Sequence, residues 1–158
     1  QTSDNDYYLN HDFYKRSTNI GWIFADYRDD FSNFGYNTII YGHNLINKTM
    51  FGSLTNIMKS SWYSNSNNHY IKTTTVNARQ VWKVFAVYEI DPVVDYLKTY
   101  FSSSDEYGGW LNLMISRSIY DFGETVSSND KVLTLSTCND AGTKRVVLQA
   151  KLVNFEYK

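Results

Sequence analysis

Residues 79–90 carry the clearest pattern in the chain. Polar and apolar positions alternate at both ends, and the middle, Val84-Phe85-Ala86-Val87, is apolar throughout. A run that is apolar on both faces belongs to a strand covered from both sides, so this segment predicts a central strand. Five other segments read as strands: residues 20–26, 38–41, 70–76, 131–137 and 145–154. In residues 131–137, Leu133 and Leu135 share one face, while Val132, Thr134, Ser136 and the following Cys138 share the other. In residues 145–154, Val146, Leu148, Ala150 and Leu152 form an apolar core face, with Arg145, Gln149 and Lys151 opposite.

Helical spacing is rarer. Residues 6–14 allow one or two turns. Residues 50–59 are amphipathic, with Phe51, Leu54 and Met58 three and four apart. Residues 93–120 are the main helical candidate. Pro92 suits a helix start, and Val94, Leu97 and Phe101 fall on one stripe. Ser104 and Asp105 are good capping residues. Beyond them Trp110, Leu113, Met114 and Arg117 make a second stripe, weakened early on by Gly108-Gly109. Residues 60–68, 102–105 and 127–130 read as polar loops. No repeat or linker divides the chain. The pattern predicts one domain over residues 1–158, mainly β, an antiparallel β-barrel with peripheral helices.

Composition narrows the function classes. The 158 residues are 42% hydrophobic and 20% charged, which is ordinary for a globular chain. A net charge of −1 lacks the basic footprint of a nucleic-acid binder. Aromatics reach 17%, with 14 Tyr and 4 Trp, which suits pleated, half-buried surfaces. One cysteine forbids an intramolecular disulfide, and three histidines do not suggest a Cys/His zinc cage. Asp26, Asp29 and Asp30 are the nearest approach to a carboxylate cluster and read as a solvated turn. No metal site and no cofactor is therefore expected. No window of about 18 apolar residues is present, so nothing in the chain reads as a membrane-spanning helix.

Two strand ends carry chemistry. Thr134-Leu135-Ser136-Thr137-Cys138 runs into the lone thiol beside a polar turn, and the basic pair Lys144-Arg145 follows. Thr38-Ile39-Ile40-Tyr41 is an apolar strand, broken by Gly42, with His43 at its exit. Such a thiol is either a small buried side chain or a nucleophile that attacks as thiolate. A thiol near 8.5 and an imidazole near 6.5 would leave the thiolate–imidazolium pair a minority at neutral pH, implying slow turnover and a bell-shaped pH profile. His43 has two rivals, His11 in a helical turn and His69 after a polar loop. Lys144 and Arg145 alternate in facing, so only one can point at Cys138. Ser136 shares the face of Cys138 and is placed to line a groove. Asp140 sits in the turn, and no orienting carboxylate is required.

Taken together, Tyr41-Gly42-His43-Asn44, Thr134-Leu135-Ser136-Thr137-Cys138 and Arg145-Val146-Val147 resemble a sortase. Residues 5–14, Asp26-Tyr27-Arg28 and Thr49-Met50-Phe51-Gly52-Ser53-Leu54 resemble class B in particular. The resemblance implies a sortase-like barrel with a long helix inserted between two late strands. It implies a cysteine transpeptidase of Gram-positive bacteria that cleaves surface proteins after Thr in a Pro-x-Thr-type sorting signal. The acyl group would pass through a thioester on Cys138 to a peptidoglycan stem or bridge amine, as in a lipid II-type precursor. His43 would move the proton. The Arg before the two valines selects Arg145 as oxyanion holder. Asn5, Leu9 and Tyr41 correspond to positions near the peptide groove. The expected location is the outer face of the cell membrane. An N-terminal anchor, a helical lead and opening strands are expected ahead of Gln1. Three alternatives stay open: a cysteine hydrolase with water as acceptor, a non-catalytic peptide- or sugar-binding barrel, and a degenerate sortase.

Overall fold

The computed structural model describes all of residues 1–158. Six strands form one sheet: β1 (Phe24–Ala25), β2 (Asn37–Tyr41), β3 (Tyr70–Thr74), β4 (Ala78–Ile90), β5 (Val132–Cys138) and β6 (Arg145–Tyr157). Their spatial order is β1-β2-β5-β6-β4-β3, curled into a half-barrel. The expected antiparallel arrangement holds for four pairings, and β2 with β5 is parallel. That parallel pair joins two strands far apart in sequence, so no local turn signal announces it.

β4 lies inside the sheet, as its doubly apolar centre predicts, with one apolar cluster on each side. One contains Phe85, Tyr88, Tyr96, Phe101, Tyr107, Leu111, Met114, Val132 and Val147. The other contains Phe34, Trp82, Val84, Val87, Leu133, Val146, Leu148 and Ala150. A bulge between Val84 and Ala86 lets Phe85 and Ala86 join the first cluster before alternation resumes. Because both faces are covered there, the supposedly polar face of β6 is buried at its centre, at Val147 and Gln149. Gln149 is fully enclosed and bonds the Tyr88 hydroxyl and Thr134.

The helices depart more from expectation. Residues 93–120 are not one long helix. A 3-10 turn at Asp95–Leu97 is followed by extended chain and then α2 (Ser104–Arg117), which does lie between β4 and β5. Its cap is Ser103, whose Oγ accepts from the Glu106 N–H at 3.1 Å, not Ser104 or Asp105. Glu106 reaches back past the cap to accept from the Ser102 N–H and hydroxyl. The buried stripe is Tyr107, Trp110, Leu111 and Met114, while Leu113 faces outward. The segment at 50–59 is a 3-10 helix, Gly52–Met58. The loop expected at 60–68 instead contains α1 (Ser60–Tyr63) and a 3-10 turn, Ser66–His69. Stacking of Tyr63 on His69 and Tyr120 orders this polar stretch.

The N-terminal quarter has little regular structure. The turn expected at 6–14 covers only Tyr7–Leu9. Residues 10–18 then double back, with Asp12 N–H bonded to the Arg16 carbonyl and Thr18 N–H to that of Asn10. The strand expected at 20–26 keeps only Phe24–Ala25, because Gly21 turns the chain with φ +62°.

Candidate active site

The alternation in β5 and the pairing of β5 with β6 together build one wall of a cleft. Cys138 and Arg145 are opposite one another in the antiparallel register. Directly paired residues hold their Cβ atoms about 4.5–5.5 Å apart on the same face. The turn between them is organised by Asn139, whose side-chain carbonyl accepts from the Thr143 and Lys144 N–H groups at 3.0 and 3.2 Å. Lys144 points elsewhere, with Nζ 3.9 Å from Glu89. The Arg145 guanidinium has no carboxylate partner, and its one hydrogen bond is a long 3.5 Å one to the Lys144 carbonyl. Cys138 is a free, half-buried thiol.

The floor is a row across the sheet, Phe24 opposite Tyr41 and Tyr41 opposite Ser136. Beyond Tyr41 the parallel ladder continues for one step, Gly42 N–H donating to the Ser136 carbonyl at 3.2 Å. The Thr137 hydroxyl donates to the Gly42 carbonyl at 2.6 Å. Gly42 leaves room for Phe51, whose ring carbon would lie 2.7 Å from a Cβ there. His43 follows, its carbonyl accepting from the Phe51 N–H at 2.9 Å. Asp140 accepts from Asn44 at 2.8 Å and from Lys48 at 3.1 Å, so it ties the loop after His43 to the turn after Cys138.

The third side is the N-terminal segment. His43 Nε2 lies 2.7 Å from the Leu9 carbonyl oxygen. The resulting cleft, about 380 Å³, is lined by Asn5, Leu9, Phe24, Tyr41, Gly42, His43, Leu97, Ser136, Thr137, Cys138 and Arg145. All seven residues singled out in the sequence therefore face one space. His11 and His69 do not line it; each stacks on a tyrosine, Tyr7 and Tyr63.

Three contributors were not anticipated. Asp26 was expected in a solvated turn, yet it is fully buried and serves as the hub beneath the cleft. Its carboxylate accepts from Arg28 Nε and a terminal guanidinium nitrogen at 2.8 and 2.7 Å, from Asn5 at 2.9 Å and from the Tyr41 hydroxyl at 2.8 Å. Burial opposes its charge, but Arg28 and these donors outweigh that and hold its pKa below the usual carboxylate range. Arg28 also donates to the Leu97 carbonyl at 3.0 Å, bringing the 95–97 turn to the cleft. Tyr96 stands behind Ser136, hydroxyl to hydroxyl at 3.0 Å, and its burial raises its pKa. The third is Gly21, packed beneath His43. Alternating Asp26-Tyr27-Arg28 was the one available signal for the hub, since an acid and a base two apart share a strand face.

Known proteins similar to this chain place it in a family. Residues 5–153 match the sortase domain family. The chain is 33% identical over 156 residues to sortase B of Staphylococcus aureus, covering 97% of this chain and 63% of that protein. It thus spans about 63% of the length of that curated relative. Clostridium perfringens sortase B superposes with a TM-score of 0.89 at 31% identity, covering 98% of this chain and 85% of that one. A Staphylococcus aureus sortase B–substrate complex superposes at 0.88 with 32% identity, covering 97% and 71%. The chain belongs to the sortase family, among the class B sortases.

Proposed function

We propose that the chain is the catalytic domain of a cysteine transpeptidase acting at the cell surface, with Cys138, His43 and Arg145 as its catalytic residues. The observation that carries this reading is the meeting of a free thiol, an imidazole and an acid-free guanidinium on one cleft. Cys138 attacks, as thiolate, the carbonyl carbon after Thr in a Pro-x-Thr-type signal. Negative charge gathers on the carbonyl oxygen, and the Arg145 fork donates to it. The C–N bond breaks, His43 gives its proton to the departing amine, and the acyl group remains on sulfur as a thioester. An incoming peptidoglycan amine then attacks the thioester, His43 takes its proton, and the thiolate leaves. Asn5, Leu9, Tyr41 and Ser136 form the groove that receives the signal.

The test is incubation of the protein with sorting-signal peptides, with and without an added amine such as a short oligoglycine. Transpeptidation predicts cleavage after Thr and a product joined to the amine. Cleavage that yields only the free acid at every amine concentration would make the protein a hydrolase.

A further inference from the structure

His43 has no carboxylate or amide side chain to orient it. Asp140, in the turn after Cys138, is engaged by Asn44 and Lys48. The ring contact in the structure is instead the Leu9 carbonyl, 2.7 Å from Nε2. A carbonyl oxygen can only accept, so Nε2 must carry the hydrogen of that bond. In the neutral ring Nδ1 is then bare, and it is the nitrogen able to take a proton.

What permits this contact is a missing side chain. Gly21 sits at φ +62°, and a Cβ there would stand 2.5 Å from the Tyr8 oxygen, 2.7 Å from the Leu9 oxygen and 2.8 Å from His43 Cδ2. No real Cβ approaches backbone so closely. The corner is fastened on both sides, by Trp22 N–H to the Tyr8 carbonyl at 2.9 Å and Gly21 N–H to the Thr18 carbonyl at 3.4 Å. The start of the Tyr7–Leu9 turn is fixed by Asp4, which accepts from the N–H groups of Asp6 and Tyr7.

We propose that Gly21 is a positioning residue for His43: its bare Cα lets the Leu9 carbonyl hold the imidazole as the Nε2–H tautomer, leaving Nδ1 as the nitrogen that takes and returns the proton. The role of that proton rests on the transpeptidase reading, whereas the tautomer does not.

Gly123 supplies the control. It has a similar φ of +65°, but no atom lies within 4 Å of where its Cβ would be. Gly123→Ala therefore carries the same backbone strain without touching His43. The experiment is nitrogen-15 NMR of the His43 ring in the wild-type chain, Gly21→Ala and Gly123→Ala, with kcat and KM for a sorting-signal peptide. The wild-type neutral ring is expected to show a protonated Nε2 and a bare Nδ1, and Gly123→Ala to keep that signature and its kcat. Gly21→Ala is expected to lose the signature and about 10²-fold in kcat, the usual cost of about 1 Å of misplacement, with a much smaller change in KM. A wild-type ring protonated at Nδ1 would overturn the proposal, and so would a folded Gly21→Ala with signature and kcat intact. If Gly21→Ala fails to fold, Gly21→Asn, which tolerates the left-handed φ yet carries the same Cβ, takes its place with the same expected losses, and a wild-type ring protonated at Nδ1 still overturns the proposal. The expected spectrum in a wild-type chain that joins no peptide to an amine would uphold the seat and refute the transpeptidase reading.

Discussion

The two sides of the cleft are built in different ways. On one side Cys138 and Arg145 are a paired couple in a ladder buried on both faces. Their facing follows from alternation, and their spacing from strand pairing. On the other side His43 leaves β2 and is held by loop contacts: the Leu9 carbonyl, the Gly21 corner, the Asp140 tie and the Asp26 hub under Asn5 and Tyr41. The ladder side draws its geometry from many cooperative backbone bonds. The loop side draws it from a few side-chain bonds, any one of which can be removed. Cys138 and Arg145 should therefore stay in place under most substitutions, while His43, Asn5 and Tyr41 should be easily displaced.

The largest expected effect tests the ladder side at its chemical end. Cys138→Ala should remove peptide cleavage entirely while far-ultraviolet circular dichroism and Tm stay at wild-type values. Arg145→Lys comes next. It keeps the charge and loses the fork, and turnover should fall on the order of 10²–10³-fold. Lys144→Ala, whose side chain points toward Glu89, should stay within about twofold by the same assay. A Lys144→Ala defect larger than that of Arg145→Lys would shift the facing of β6 by one residue.

Asp26→Ala probes the loop side. It unpairs Arg28, Asn5 and Tyr41 together and should cost about 2–4 kcal/mol in urea unfolding. It should also raise KM for the signal peptide more than it lowers kcat, since the groove residues lose their common anchor. An unchanged KM would separate the hub from the groove.

The smallest effect is one of pH on stability. Asp29 is pushed up to about 7 by burial, with Asp26 adding to the rise. Its folded pKa lies above its unfolded one, so the native state binds the extra proton. Its contribution is full below about pH 4, near the unfolded value, and is lost as pH rises toward 7. Asp29→Asn keeps a side-chain oxygen for the Ile39 N–H and should remove this part of the pH dependence. The Tm difference between pH 5 and pH 8 should shrink by roughly 2–6 °C. An unaltered difference would show that Asp29 titrates near its free value.

What could be read from the residues follows the same division. Both-face burial of β4 and the facing of Cys138 are repeats of period two. Period two left Lys144 and Arg145 as alternatives, and the family resemblance chose Arg145. The bulge at Phe85 and the parallel β2–β5 pair were not legible, because both depend on a partner strand distant in sequence. Residues 93–98 carried a helical stripe, yet Trp110 and Arg117 bond Asp95 and hold the segment as a short turn against α2. Asp26 looked like a solvated acid because sequence shows its charge but not the Arg28, Asn5 and Tyr41 donors that make its burial tolerable. Gly21 carried no signal at all, for a close approach to His43 is visible only in three dimensions.

The most direct test of the whole account is intact-protein mass spectrometry after mixing the chain with a cleavable signal peptide and no amine. The account predicts a mass increase equal to the acyl fragment ending in Thr, mapped to Cys138 and cleared when an amine is added. An adduct on another residue, or peptide cleavage that persists in Cys138→Ala, would contradict it.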